Sequence, residues 1–159
     1  VSSAASDVYK RQVQVRSILR GMPLIGSRFH VGAALLLDDG TIIQGANVEN
    51  ASYGGAICAE RTAIVKWHTD PAHRHKHISG VAVTSEAQAP CPPCGICRQV
   101  LREFCSMDTP ILLPKSSWKP TDRTPPKPTT VVSSLSDPDL AVVLFEDLLP
   151  MSFGPTQLE

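Results

Sequence analysis

Two cysteine-bearing segments constrain this chain more than any other feature. The first reads C-A-E over residues 58–60, and the second reads P-C-G-I-C over residues 93–97. Three thiolates that leave one tetrahedral position open to water form a catalytic rather than a structural zinc site. The fold must then bring both segments to one point, and we predict that Cys58, Cys94 and Cys97 are the protein ligands of one Zn²⁺ per subunit.

Glu60 follows the first cysteine by two residues and is the predicted catalytic proton carrier. It is too close to Cys58 in sequence to be a comfortable fourth ligand, whereas it can exchange protons with a metal-activated water. The pattern is typical of zinc hydrolases that remove an amine from a small ring. Arg61 and Arg98 each directly follow a motif residue, and we interpret them either as cations that offset the thiolate charge or as ordinary surface arginines.

A closed zinc ribbon, in which four cysteines hold the metal and nothing reacts, is the main alternative for this cluster. Cys91 would complete such a set, but two prolines stiffen the chain between Cys91 and Cys94. A ribbon also normally uses two paired-cysteine segments, and the first segment here has one cysteine. The open site is therefore the favoured interpretation, and Cys105 is expected to be an inert buried thiol.

Length and composition exclude several classes of protein. The 159 residues, 42% of them hydrophobic, suffice for one compact domain. The 15 basic and 15 acidic residues cancel, and no basic block is present that could neutralise a line of phosphates. A nucleic-acid polymer is therefore not the expected partner. No apolar run of membrane-spanning length and no signal peptide is visible, and the odd count of five cysteines suits a reducing compartment. We expect a cytoplasmic protein with no membrane contact.

Hydrophobic periodicity divides the chain into strands and two main helices. Two extended runs around the turn at residues 38–40 predict a β-hairpin, and apolar residues at helical spacing mark both helices. The predicted elements are strands at 31–37 and 41–46, a helix at 56–68, a strand at 78–84, a helix at 95–104, strands at 111–113 and 140–145, and a helical turn at 146–149. Strands interleaved with helices predict an α/β domain with a mixed sheet.

The first 26 residues are treated apart from this pattern. Residues 7–12 look like an in-frame translation of a sequencing-library transposon end, so residues 1–12 are excluded from fold reasoning as an artefact. Residues 13–25 predict either a short amphipathic helix or a poorly ordered lead-in. The domain itself is expected to span residues 27–159.

Two further segments are predicted to lie on the surface. Residues 115–139 carry five prolines with many serines and threonines, and we interpret them as a proline-rich surface insertion. Residues 73–77 alternate histidine with cationic residues. With no thiol or carboxylate nearby in sequence, they are interpreted as a solvated loop rather than a second metal site.

Five motifs occur together in this chain. They are Phe29 with V-G-A-A at 31–34, N-V-E-N-A-S-Y-G at 47–54, C-A-E-R at 58–61, P-C-G-I-C-R-Q at 93–99, and L-L-P with F-G-P between 148 and 155. With this combination the chain resembles the small, homotetrameric, zinc-dependent cytidine deaminases that act on free nucleosides. The resemblance implies a three-layer α/β/α domain with a mixed five-stranded sheet. It also implies hydrolytic deamination of cytidine and deoxycytidine to uridine and deoxyuridine, a step of pyrimidine salvage.

The same resemblance implies the substrate contacts. Asn47 and Glu49 would hold a sugar hydroxyl, and they would face one way because they are two residues apart on an extended segment. From the sequence alone the two could equally be a polar pair at a strand end. The remaining contacts are implied for Phe29 on the pyrimidine ring, for the backbone of Ala59 on the base, and for Tyr53 and Phe153 in sites shared between subunits.

The chain departs from the family pattern in two places. Family members carry a longer N-terminal helix and a tyrosine- and proline-containing loop before the serine that matches Ser27, whereas G-M-P-L-I-G stands here at 21–26. The insertion at 115–139 is also longer than usual. Two alternatives stay open: a deaminase of a nucleoside antibiotic such as blasticidin, and a non-catalytic zinc-binding module.

Overall fold

A five-stranded mixed sheet forms the centre of the fold. The computed structural model describes residues 29–118 and 139–158, and within them the strand order is β2-β1-β3-β4-β5. Strands β3 and β4 pair in parallel, and the other neighbours are antiparallel. The strands are β1 (Val31–Leu37), β2 (Ile42–Ala46), β3 (Ile78–Ser85), β4 (Pro110–Pro114) and β5 (Leu140–Leu144). The predicted α/β fold with a mixed five-stranded sheet is confirmed.

The β1–β2 hairpin forms where the sequence predicts it. Gly40 supplies a φ of 84°, a left-handed conformation that glycine adopts without a steric penalty. The Leu37 amide donates to the Thr41 carbonyl at 2.8 Å across the turn. Strand β1 is buried along almost its whole length because β2 and β3 flank it and apolar residues lie on both of its faces.

Both main helices pack on the same face of the sheet. They are α1 (Ala59–Thr69) and α2 (Gly95–Phe104), and a short α3 (Phe145–Leu148) follows β5. The shared core contains the following buried residues: Ala33, Leu35, Leu37, Ala63, Ile64, Trp67, Val81, Val83, Leu101, Ile111, Val143 and Phe145. Helix α2 connects the parallel pair β3 and β4, as a crossover helix must.

The first helix starts three residues later than predicted. A 3-10 turn at Tyr53–Gly55 comes first, and then Val48 and Ile57 exchange two backbone hydrogen bonds of 2.8 and 2.9 Å. That isolated bridge holds the chain extended up to Cys58, so the predicted start at residue 56 is wrong. Cys58 is the N-cap of α1 rather than a residue of its first turn.

Close contact between α1 and β2 depends on a glycine. A Cβ atom added to Gly45 would lie 2.5 Å from the Ala63 amide nitrogen and 2.9 Å from the Ala63 Cβ. Contacts this short do not occur for real Cβ atoms, so a larger residue would push α1 away from the sheet. Gly45 therefore allows α1, which begins after Cys58 and carries Glu60, to lie close to β2.

The opposite face of the sheet also carries buried apolar residues, including Ala34, Leu36, Ala82 and Leu112. Trp118 and Ile42 pack there among the described residues. The third layer of the predicted α/β/α arrangement would cover this face, and its candidate helix at residues 13–25 lies outside the described residues.

The ends of the predicted insertion lie side by side. The Lys115 amide donates to the Asp139 carbonyl at 2.9 Å, and the Ser117 hydroxyl contacts the Asp139 carboxylate at 2.7 Å. Residues 119–138 lie outside the described part, so the insertion and the 27–159 domain boundary stay predictions. Within residues 29–118 and 139–158, no helix has the length and apolar character needed to cross a bilayer.

Candidate active site

Three thiols converge where α1 and α2 begin. The sulfur atoms of Cys58, Cys94 and Cys97 all lie within 4.8 Å of one another, and they form the metal-competent cluster found among the described residues. Cys58 caps α1, Cys94 caps α2, and Cys97 lies in the first turn of α2. The structure thus brings together the three predicted ligands from two segments that are more than 30 residues apart.

The spacing of the thiols fits a zinc ion. With Zn–S bonds of about 2.3 Å, tetrahedral geometry places two sulfur atoms about 3.8 Å apart. The Cys58 and Cys94 sulfur atoms are 3.8 Å apart. An all-thiol donor set suits zinc and excludes hard cations such as Mg²⁺, which take oxygen ligands.

Glu60 lies beside the thiols and is almost completely buried, with 4% of its surface exposed. Burial raises the pKa of this carboxyl group, while a backbone hydrogen bond, the Cys97 thiol and the Arg61 cation oppose that rise. Glu60 is therefore easier to protonate than a carboxylate in water, as a group that both accepts and donates protons must be.

The two thiols of the second segment have opposite proton affinities. Burial raises the pKa of both thiols, but at Cys94 hydrogen bonds from the first turn of α2 and from Cys58 outweigh burial and lower the pKa. At Cys97 burial dominates, and the neighbouring Glu60 charge raises the pKa further. A metal bound here must therefore displace a proton from Cys97, which couples binding to pH.

Arg61 and Arg98 make different contacts. One guanidinium nitrogen of Arg61 lies 3.9 Å from the Cys58 sulfur and 3.4 Å from the Ala56 carbonyl. Hydrogen bonding with Cys58 is the main reason that the pKa of Arg61 is raised. Arg98 instead donates to the backbone carbonyls of Pro93 and Leu148, each at 2.8 Å. Arg61 thus lies where charge compensation requires it, and Arg98 is linked to the site through Pro93, directly before a ligand.

A cavity of about 530 Å³ opens over the thiol cluster and Glu60. This volume lies in the usual range for small-molecule sites. Phe29, Tyr53 and Ala59, three of the residues that the resemblance implies for substrate contact, line it. Ala59 is fully buried in the first turn of α1, whereas Tyr53 is 86% exposed at the rim.

Asn47 and Glu49 line the same cavity and face one way. The Asn47 amide nitrogen donates to a Glu49 carboxylate oxygen at 2.8 Å and to the Phe29 carbonyl at 2.9 Å, while its oxygen accepts from the Val31 amide. Both amide protons of Asn47 are therefore used within the chain. Asn47 thus orients Glu49 and the backbone at Phe29.

Cys91 and Cys105 are the two cysteines outside the group of three thiols. Cys91 lines the cavity but lies outside the group of three, so its place as a fourth ligand finds no support in the described residues. Burial raises the pKa of Cys105 to about 12, which agrees with an inert thiol. His73 and His75 lie in a turn, and none of the histidines at 73–77 belongs to the group of three. The expectation that no carboxylate lies near them is wrong, because His73 pairs with the Asp70 carboxylate at 3.8 Å.

Some residues at the site are not those that sequence reasoning named. Ile57 and Ile96 line the cavity beside the predicted residues, and only their proximity to Cys58 and Cys97 in sequence could have suggested them. Phe153 is more than half exposed and is not part of this cavity; its carbonyl accepts from the Gln99 amide at 3.1 Å. The roles of all predicted substrate residues stay predictions.

Comparison with known proteins gives relatives over somewhat more than half of the chain. A cytidine deaminase of Halalkalibacterium halodurans is 51% identical over 87 residues, which cover 55% of this chain and 64% of that protein. A probable cytidine deaminase of Dictyostelium discoideum is 42% identical over 92 residues, or 57% of this chain and 60% of that protein. These matches span less than two thirds of the length of either relative.

Solved structures agree over a longer stretch. The crystal structure of cytidine deaminase from Burkholderia pseudomallei superimposes with a TM-score of 0.67 at 29% identity, covering 96% of this chain and all of that one. Cytidine deaminase from Mycobacterium tuberculosis gives a TM-score of 0.63 at 29% identity, covering 90% and 94%. Residues 17–113 match the cytidine and deoxycytidylate deaminase zinc-binding region. With the three thiols and Glu60 in the expected places, this chain belongs to the cytidine and deoxycytidylate deaminase family.

Proposed function

We propose that this protein hydrolyses the exocyclic amine of cytidine and deoxycytidine and releases ammonia. The observation that carries the proposal is the buried Glu60 beside three converging thiols, where Glu60, Cys58 and Cys94 line a cavity large enough for a nucleoside. The reaction consumes one water and one nucleoside, and it gives uridine or deoxyuridine with one ammonia.

The chemistry divides between the metal and Glu60. Cys58, Cys94 and Cys97 would hold Zn²⁺, which supplies a Lewis acid that makes water nucleophilic near neutral pH. Glu60 accepts one proton from the water and delivers it to the ring nitrogen. It then accepts the remaining hydroxyl proton of the tetrahedral adduct and passes it to the departing amine, while the carbon–oxygen bond becomes the carbonyl of the product. Its burial suits this exchange because the raised pKa of the carboxyl group brings it closer to the working pH.

The cavity residues account for recognition of a nucleoside. Phe29 offers a partly exposed aromatic face for the pyrimidine ring, and Glu49, oriented by Asn47, offers an acceptor for a sugar hydroxyl. The start of α1 brings the backbone of Ala59 to the cavity wall. Ligands without a sugar should bind less tightly, because the buried polar groups of the protein that pair with a sugar hydroxyl would then be left unpaired.

The proposal extends to assembly and location. Tyr53 and Phe153 are large, exposed aromatic residues, which is expected of side chains that complete sites across subunit boundaries in a homotetramer. Three thiol ligands suit the reducing cytoplasm, where a deaminase of free nucleosides would serve pyrimidine salvage. Light scattering on the purified protein tests the tetramer, and a Tyr53→Ala variant tests whether the subunits depend on that residue.

An activity assay with a matched pair of carboxylate variants tests the function. The zinc-loaded protein is incubated with cytidine, and ammonia release is measured. Glu60→Gln should lower kcat by about 10²–10⁴-fold because it removes the proton carrier. Glu146→Gln, which changes an exposed carboxylate on α3, should leave kcat unchanged. Full activity in Glu60→Gln would refute the mechanism.

A substrate panel separates the main alternatives. Cytidine, deoxycytidine and blasticidin are compared at equal concentration with the same preparation. Faster turnover of the two nucleosides supports the proposal, and turnover of blasticidin alone would assign the chain to antibiotic deamination. A protein that binds zinc and converts none of the three would be a non-catalytic zinc-binding module.

A further inference from the structure

The C-terminal strap, defined as residues 148–153, lies along the helix that carries two of the metal ligands. Three side chains of α2 hold it: Arg98 donates to the Leu148 carbonyl at 2.8 Å, Gln99 donates to the Phe153 carbonyl at 3.1 Å, and Arg102 donates to the Ser152 hydroxyl at 3.1 Å. Each link joins residues 50 or more positions apart in sequence. Polar contacts therefore attach this strap to α2 at both of its ends.

Arg98 links the strap to the backbone directly before Cys94. Its Nε donates to the Pro93 carbonyl at 2.8 Å while its Nη1 donates to the Leu148 carbonyl. Pro93 directly precedes Cys94 and is fully buried, so its carbonyl needs a partner within the protein. Leu148 ends α3, where backbone carbonyls lack partners within the helix. One planar guanidinium thus donates both to the carbonyl directly before Cys94 and to the carbonyl at the end of α3.

The strap has a defined path rather than a loose one. Gly154, directly after the strap, lies close against Arg102: a Cβ atom added there would be 2.7 Å from the Arg102 Nε, so a larger residue would require the guanidinium to move. Met151 has a φ of 53° while its side chain is fully exposed. Such a conformation is strained for methionine and persists only when contacts on both sides impose it.

We propose that Arg98 is a positioning residue for the metal site, which fixes the backbone before Cys94 by tying it to the C-terminal strap. The inference rests on the proposed zinc site and not on the nucleoside substrate. Cys94 is the exposed ligand of the three, so packing holds it least, and Arg98 holds the carbonyl of Pro93, the residue directly before it. Detaching the strap from Arg98 should therefore increase the rate at which the site releases zinc.

A role for Arg98 as a double hydrogen-bond donor and a role as a positive charge predict different effects of substitution at this position. If Arg98 acted only through its positive charge, a lysine would replace it. A lysine ammonium is a point donor on a flexible stem and cannot hold two carbonyls in the fixed fork of a guanidinium. Arg98→Lys therefore separates the bridge from the charge compensation that the sequence suggested.

The test measures zinc release from the loaded protein to a chromophoric chelator. Groups that orient metal ligands typically contribute about 10–100-fold to metal affinity, and we expect Arg98→Gln and Arg98→Lys both to release zinc about that much faster than the parent protein. Arg74→Gln, which changes an exposed arginine, should release zinc at the parent rate. Co²⁺ loading adds a direct view, because the thiolate-to-cobalt absorption should shift in both Arg98 variants.

A second pair of changes tests the strap without touching Arg98. The double variant Gln99→Ala with Ser152→Ala removes two of the three links, and it should speed zinc release to a smaller extent. Added to Arg98→Gln, it should have no further effect, since residues that act through one connection are not additive. Urea unfolding of the metal-free proteins shows that each variant is folded.

The outcomes are distinct from those for the proposed function. Parent-like release from Arg98→Lys would show that charge suffices, and parent-like release from Arg98→Gln or full additivity with the double variant would equally overturn the inference. A protein whose zinc release responds as expected but that turns over no cytidine would refute the proposed function alone. A parent protein that takes up no zinc would overturn both.

Discussion

The two helices that carry the thiols are held in the fold by different forces. Among its described residues, α1 buries Ala59, Glu60, Ala63, Ile64 and Trp67 against the sheet. Among the ten residues of α2, the buried ones are Cys97 and Leu101. Helix α2 compensates with the three hydrogen bonds to the C-terminal strap. The helix that carries Glu60 is held mainly by packing, whereas the helix that carries Cys97 combines a smaller packed face around Leu101 with polar contacts and, when loaded, with the metal.

This difference suits the roles proposed for Glu60 and for the thiols. Proton transfer needs a carboxylate held at constant position in a dry environment, and close packing provides both. Metal ligands are positioned by the bonds that they make to the ion, so their helix needs less packing and can take its remaining order from hydrogen bonds of about 1 kcal/mol each. The comparison predicts that α2 is the more sensitive of the two helices to metal removal.

Metal removal should have the largest effect. Zinc at 1,000 times its Kd adds about 4.1 kcal/mol to the free energy of unfolding, because it binds the folded chain. Thermal melts with zinc and with excess chelator should therefore differ by many degrees, and hydrogen exchange should rise more in α2 than in α1. In Cys58→Ala the chelator effect should be strongly reduced.

Cys91→Ala is the matched control for that experiment. Its thiol lies in the cavity wall but outside the group of three, so the chelator effect should persist in full. Loss of the effect in this variant would support a closed four-cysteine ribbon instead.

Truncating the apolar anchor of α2 should have the next largest effect. Leu101 is fully buried, and Leu101→Ala should lower the free energy of unfolding by about 2–5 kcal/mol through lost packing and the cavity that remains. Ile96→Ala, on the exposed side of the same helix, should change it by less than about 0.5 kcal/mol. Urea unfolding of both metal-free variants measures the difference. Equal effects would mean that packing does not hold α2.

Much of this arrangement could be predicted from the sequence. The apolar run at 31–37, the turn at 38–40 and the helix at 95–104 carry their own local signals, and the structure reproduces them. The ligand group could be found because Cys58, Cys94 and Cys97 are of one chemical type in a recognisable spacing. A site that is recognisable from residue types and their spacing can be predicted without knowledge of the fold.

Other features depend on contacts that the sequence does not display. The late start of α1 follows from the bridge between Val48 and Ile57, which a window of helical periodicity cannot detect. The bond from Arg98 to the Leu148 carbonyl joins a side chain to backbone across 50 residues, and a backbone carbonyl has no residue type to recognise. Asn47 likewise directs its amide protons to its own chain. Such contacts become visible only when the chain is folded.

A smaller effect is expected where α1 meets β2. Gly45→Ala should lower the free energy of unfolding by about 1–3 kcal/mol, because the added methyl group overlaps the α1 backbone at Ala63. Gly80→Ala is the matched control in β3, since its added Cβ would have no neighbour closer than 3.8 Å, and it should be neutral or slightly stabilising. If both variants unfold alike, α1 does not depend on this close approach.

The smallest effect is expected for the backbone conformation of the strap at Met151. Met151 has a positive φ and a fully exposed side chain, so substitutions there report backbone strain without a change in packing. Glycine adopts this conformation freely, whereas a β-branched residue is disfavoured in it. Met151→Val should therefore unfold about 1 kcal/mol more easily than Met151→Gly in urea, with the parent protein between them. If valine and glycine give the same free energy of unfolding, the strap relaxes locally, and polar contacts hold α2 less firmly than its three hydrogen bonds suggest.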